Sequence, residues 1–123
     1  MAVARTSGFT QMPLRGIHIN TATAAYTLTR DDSGIFFLNQ YTTNTTYTLP
    51  AVADGKGCVF FFMNANTTST LAITSPTADT FVCNDDATAT TNTSSADCGC
   101  WAMVIGDGTY YYCFEGSGTW TAT

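Results

Sequence analysis

The sequence predicts an all-β fold: a compact antiparallel β-sandwich or barrel with an extended N-terminal arm. Three observations carry that expectation. Threonine, a strand-favouring residue, recurs along the whole chain. Aromatic residues make up 13% and charged residues only 11%, a composition that suits sheets with uncharged polar faces. Short apolar segments alternate with clusters of Asp, Ser, Asn and Gly, and no helical period appears. A chain of 123 residues has one core. Its hydrophobic share of 45% argues against wholesale disorder.

Taken in order, residues 1–22 read as the arm and residues 23–123 as one β domain. In the arm, Gly8, Pro13 and Gly16 interrupt the apolar residues Phe9, Met12, Leu14, Ile17 and Ile19. The alternation at Ile17 and Ile19 adds one strand near the arm's end. Such an arm needs a surface to order it. The body strands are expected near 24–29, 35–39, 45–49, 57–63, 69–74, 80–83, 98–105 and 109–114, with a short one near 119–122.

Tyr26 and Leu28 begin the first body strand, and Asp31-Asp32-Ser33-Gly34 supplies a turn. Ile35 to Leu38 form the next strand. Tyr47-Thr48-Leu49 forms another, stopped by Pro50, which lacks a ladder donor. The strand at 57–63 is apolar on both faces, with Cys58, Phe60 and Phe62 pointing one way and Val59, Phe61 and Met63 the other. It is therefore central or borders an oligomer interface, and Phe60, Phe61 and Phe62 are the interface candidates. Residues 84–96 read as an exposed polar loop with at most a ragged edge strand. No fixed-period repeat is evident. The last hairpin is expected to turn at Asp107-Gly108. Trp101, Met103, Ile105, Tyr110, Tyr112 and Phe114 then share one face, expected to be a core wall. Cys98, Cys100 and Cys113 lie on the opposite face.

The order of these pieces resembles a recurring β module of tailed-phage virion proteins. The likeness runs from about Ala24 onward: Tyr26-Thr27-Leu28-Thr29, the turn Asp32-Ser33-Gly34, Ile35 to Leu38, Tyr47-Thr48-Leu49-Pro50, and the apolar run Gly57 to Met63. A later Gly106-Asp107-Gly108-Thr109-Tyr110 hairpin and a closing Gly116-Ser117-Gly118-Thr119-Trp120 are also similar. The resemblance implies a virion structural protein of the head decoration (cement) or head-fibre type. Decoration proteins of this kind are often trimers at three-fold positions of the capsid.

Candidate chemistry is sparse. The five cysteines, Cys58, Cys83, Cys98, Cys100 and Cys113, lack the paired two-residue spacing of a zinc site. The expectation is no metal and no cofactor; the thiols are read as small buried hydrophobes, with a disulfide as the second reading and the odd count leaving at least one cysteine unpaired or intermolecular. Asp31-Asp32 and Asp85-Asp86 lack the spacing of a calcium loop. His18 is the single histidine and Glu115 the single glutamate. No nucleophile elbow, carboxylate pair or phosphate loop accompanies them, so no enzymatic activity is expected.

The net charge is −5, unevenly placed. Arg5 and Arg15 lie in the first twenty residues, and all nine acids lie beyond them. Two arginines are too few for a nucleic-acid surface. No apolar run is long enough to span a bilayer, and the N-terminus lacks a signal-type segment, so synthesis in the host cytoplasm is expected.

The functional expectation is a bacteriophage capsid decoration protein on the outer surface of the virion. It would bind the major capsid protein through an arm carrying Arg5, Phe9, Met12, Leu14 and Arg15, and assemble with itself as a homotrimer. The alternative is a tail- or head-fibre module that stacks host glycans on Tyr41, Tyr47, Tyr111 or Trp120.

Overall fold

Three apolar runs each end in asparagine: Ile17 to Asn20, Ile35 to Asn39 and Val59 to Asn64. Each is followed by a polar turn and a shorter Thr-rich strand. In the computed structural model, which describes residues 14–123, these units stack as three rungs. The first strand of each rung is β1 (Gly16–Asn20), β3 (Ile35–Asn39) and β5 (Val59–Asn64). The second is β2 (Ala25–Thr27), β4 (Thr45–Thr48) and β6 (Leu71–Thr74). Successive strands alternate between two sheets, and within each sheet the stacked strands are parallel.

The asparagines hold the register. Asn20 pairs with Asn39, and Asn39 with Asn64, across neighbouring strands. Asn20 Nδ2 donates to Asn39 Oδ1 at 2.8 Å, and Asn66 Nδ2 donates to Asn64 Oδ1 at 2.7 Å. Asn20 Oδ1 also accepts from the Thr23 backbone N–H at 3.0 Å, which shapes the turn into β2. These side chains are buried, so their bonds offset a desolvation cost that would otherwise destabilise the fold.

The chain then adds β7 (Phe81–Cys83), β8 (Asp86–Ala89), β9 (Thr91–Ser94), β10 (Trp101–Gly106), β11 (Tyr111–Ser117) and β12 (Trp120–Ala122). One sheet has the order β1-β3-β5-β10-β11-β7-β8, the other β12-β9-β6-β4-β2. Both are mixed, so the expected purely antiparallel arrangement is corrected. Parallel pairing arises because each rung leaves one sheet, crosses to the other and returns in the same direction. Besides strands, the described residues contain 3-10 turns at Arg30–Asp32 and Val52–Gly55.

The two sheets share a core in sandwich-like packing. Phe37, Phe60, Phe62, Val104 and Tyr111 enter from the seven-stranded sheet, and Tyr47, Leu71 and Ile73 from the five-stranded one. Phe62 stacks on Phe37 with ring centroids 5.4 Å apart and lies 5.3 Å from Tyr47. The Tyr111 hydroxyl donates to the Pro50 carbonyl at 2.7 Å. Burial pushes the phenols of Tyr47 and Tyr111 well above their ordinary range.

Two further expectations are corrected. The polar segment 84–96 contains β8 and β9, and β9 is internal to its sheet, between β12 and β6. Asn92 and Ser94 point inward from it and are buried. Thr74 and Thr91 hydroxyls bond across β6 and β9 at 2.7 Å, so polar side chains line this pairing. The β10–β11 hairpin also faces the other way. Its register pairs Gly106 with Tyr111, Ile105 with Tyr112 and Met103 with Phe114. Asp107 Oδ1 caps a four-residue loop by accepting the backbone N–H groups of Thr109 and Tyr110, each at 2.7 Å. Ala102, Val104 and Tyr111 form the core wall, while Trp101, Met103, Ile105 and Phe114 face outward.

Candidate interaction surface

The outward face of the seven-stranded sheet follows from the register. Ile17 and Ile19 on β1 align with Phe36 and Leu38 on β3. Those align with Phe61 and Met63 on β5, which in turn face Met103 and Trp101 on β10. Val59 faces Ile105, which faces Tyr112, and Tyr112 aligns with Val82 on β7. Met103 faces Phe114. From β1 to β7 these outward positions form one apolar field with no charged side chain.

Exposure grades across the field. Ile17 is 67% exposed and Phe114 52%, on the first and fifth strands of the sheet. Phe61, at the centre, is only 7% exposed because its neighbours crowd it. Gly116 gives Trp101 its seat: a Cβ there would strike the indole ring.

Of the sequence candidates for an oligomer contact, Phe61 points into this field. Phe60 and Phe62 point the other way and are consumed by the core. In the arm, Arg5, Phe9 and Met12 lie outside the described residues. Leu14 is half-buried and Arg15 exposed. Residues 16–20, the end of the stretch read as arm, are the edge strand of the sheet. Arg15 is committed within the chain: its Nε donates to the Ser33 carbonyl at 2.7 Å and its Nη2 to the Asp31 carbonyl. Arg30 similarly donates to the carbonyls of Asp54 and Lys56, both at 2.7 Å. The cleft of about 560 Å³ between these two arginines is thus bordered by cations already engaged in holding turns.

A second cleft, of about 550 Å³, opens where β7 ends beside the longer β11. Cys83 and Cys113 meet on its inner wall, one step beyond the paired Val82 and Tyr112. Asn92 Nδ2 donates to Glu115 Oε2 at 3.1 Å and approaches Cys113 Sγ at 3.5 Å. Hydrogen bonding to Cys113, and then burial, pushes the Cys83 thiol up, while the same bond draws Cys113 down against the opposing effect of its own burial. Both are free thiols, as are the other three cysteines. No cluster of His, Cys, Asp or Glu among the described residues has a geometry that fits a metal ion.

Four aromatic residues were candidates for sugar stacking. Tyr47 and Tyr111 are fully buried, and Tyr41 and Trp120 are half-buried. Among the described residues, the exposed Phe, Tyr and Trp side chains are Trp101, Tyr110 and Phe114, on or beside the apolar field.

The signal for the field was present in the sequence: β5 and β10 are apolar at every outward position. What the sequence did not show is which face of the hairpin turns in. No protein-family model matches this chain, and no curated protein matches it. No helix among the described residues is long and apolar enough to cross a membrane.

Proposed function

We propose that this chain is a structural assembly protein of a bacteriophage virion, a decoration protein of the outer capsid. The observation that supports it best is the uncharged apolar field on the seven-stranded sheet. A monomer working alone in water rarely exposes a contiguous apolar patch of this kind; such a patch marks an interaction site. The resemblance of Tyr26 to Pro50 and the following apolar run to phage virion modules selects the virion as the setting. On this reading the protein assembles with itself as a homotrimer and clamps adjacent copies of the major capsid protein. The binding energy comes from surface presented together only in the closed lattice.

The arm contributes the capsid contact through Arg5, Phe9, Met12 and Leu14. Arg15 anchors the arm's root to the Asp31–Ser33 turn and serves the capsid contact indirectly. Cosedimentation with emptied capsids tests this. Arg5→Glu is expected to weaken binding more at low salt than at high salt, because salt already screens the attraction. Binding unaffected by both Arg5→Glu and Phe9→Asp would remove the arm from the mechanism. The fibre reading, in which aromatic rings stack on glycans, keeps Tyr41 and Trp120 but loses Tyr47 and Tyr111 to the core.

A further inference from the structure

We infer that the outer field of the seven-stranded sheet is the contact between copies of this chain. The inference deepens the assembly reading above, and rests on it in taking a protein as the occupant. Its basis is the register that sets Ile17, Phe36, Phe61, Met103 and Phe114 side by side on five successive strands.

The size fits. Six strands from β1 to β7, about 4.8 Å apart and about five residues long at 3.3 Å each, give a plan of about 24 Å by 16 Å. A standard interface buries about 800 Å² per partner, with an apolar centre and a polar rim. The field's plan of about 380 Å² supplies an apolar centre of about half that area, and the polar rim supplies the rest. Arg15, before β1, and Asp107, beyond β10, stand on the rim at one end of the sheet.

The chemistry fits a second copy. The field carries no charge, and its polar groups are few: the Trp101 indole N–H and one hydroxyl. Tyr112, its one hydroxyl, is already bonded to Asp107 Oδ2 at 2.8 Å. An uncharged apolar surface sets no charge pattern that a second copy must match, whether the copies meet face to face or head to tail around a ring. Left open from synthesis onward, the same surface is an aggregation hazard, and other copies are the one partner always present in equal supply. Met63 and Met103 near its centre let two pleated surfaces mesh without strict shape matching.

Light scattering on the full chain, with no capsids present, tests this directly. A multimer is expected at micromolar concentration. Combining Ile17→Asp with Phe114→Asp, two of the three most exposed positions of the field, should release monomers with an unchanged far-ultraviolet dichroism spectrum. A second measurement needs no variant: peroxide oxidation of wild-type protein, read by mass spectrometry. Met63 and Met103 should oxidise about tenfold more slowly when nine-tenths of the copies are assembled than at a dilution that separates them. A wild-type monomer throughout the micromolar range overturns the inference, and means that residues 1–13 or another protein cover the field. A multimer whose Met63 and Met103 oxidise at the monomer rate also overturns it. A multimer that fails to bind capsids leaves this contact standing and removes the decoration role instead.

Discussion

Phe62→Ala measures how far the core depends on the contact between the sheets. Phe62 is 1% exposed, stacks on Phe37 and reaches Tyr47 from the opposite sheet. Removing the ring from a well-packed site costs about 3–5 kcal/mol, part transfer free energy and part residual cavity. The two aromatic contacts account for about 0.5–1.5 kcal/mol each of what is lost. A domain of this size has a total stability of about 5–15 kcal/mol, so the variant should remain folded but marginal. With a urea slope of about 1.5 kcal/mol/M, the midpoint should fall by about 2–3 M. The assay is equilibrium urea unfolding followed by far-ultraviolet dichroism, at one fixed protomer concentration. An unchanged slope with a shift below about 0.5 M would refute the reasoning, because a fully packed phenyl cannot be removed that cheaply.

Three further outcomes are expected. Val104→Asp should abolish folding because it buries an unpaired carboxylate, whereas Met103→Gln on the other face should keep the native dichroism spectrum; equal damage from both would contradict the hairpin's orientation. The Asp107 carboxyl is held below its usual range, chiefly by the Tyr110 and Thr109 backbone N–H groups and then by the Tyr112 hydroxyl. Its contribution is therefore present above the unfolded carboxylate pKa of about 3.9 and is lost as pH falls through the folded value. Asp107→Asn should flatten the acid limb of stability below about pH 4, and an unaltered limb would dismiss the loop bonds. Alkylation of the native protein should label exposed Cys98 first and half-buried Cys113 next, leaving Cys58, Cys83 and Cys100 for the denatured chain; early labelling of Cys83 would contradict its contact with Cys113.

The strands were legible wherever apolar residues were bounded by turn formers. β3 at 35–39 and β7 near 80–83 follow from that alone. The rung architecture was hidden by unequal loops: the turn Val52–Gly55 lengthens the path from Asn39 to Asn64, so the asparagine repeat has no fixed period. β9 was hidden by its composition, because Thr, Asn and Ser look like loop until their side chains are seen bonding within the sheet. The hairpin's orientation failed for a different reason. Hydrophobic content normally picks the inward face, and here the more hydrophobic face of β10 points out. Ala102, Val104 and Gly106 are small enough to admit Phe62, Phe60 and Tyr111, so volume decided the packing while hydrophobicity was left for the surface. That inversion is the sequence trace of the candidate interface. It also separates Phe61 from Phe60 and Phe62, which one strand's pattern could not do.

Disrupting virions that carry this protein, then separating emptied capsids from tails, tests the central claim most directly. The account predicts that the protein stays with the capsids at a fixed ratio to the major capsid protein and leaves them as a multimer. Recovery with the tails, or absence from both fractions, would contradict it.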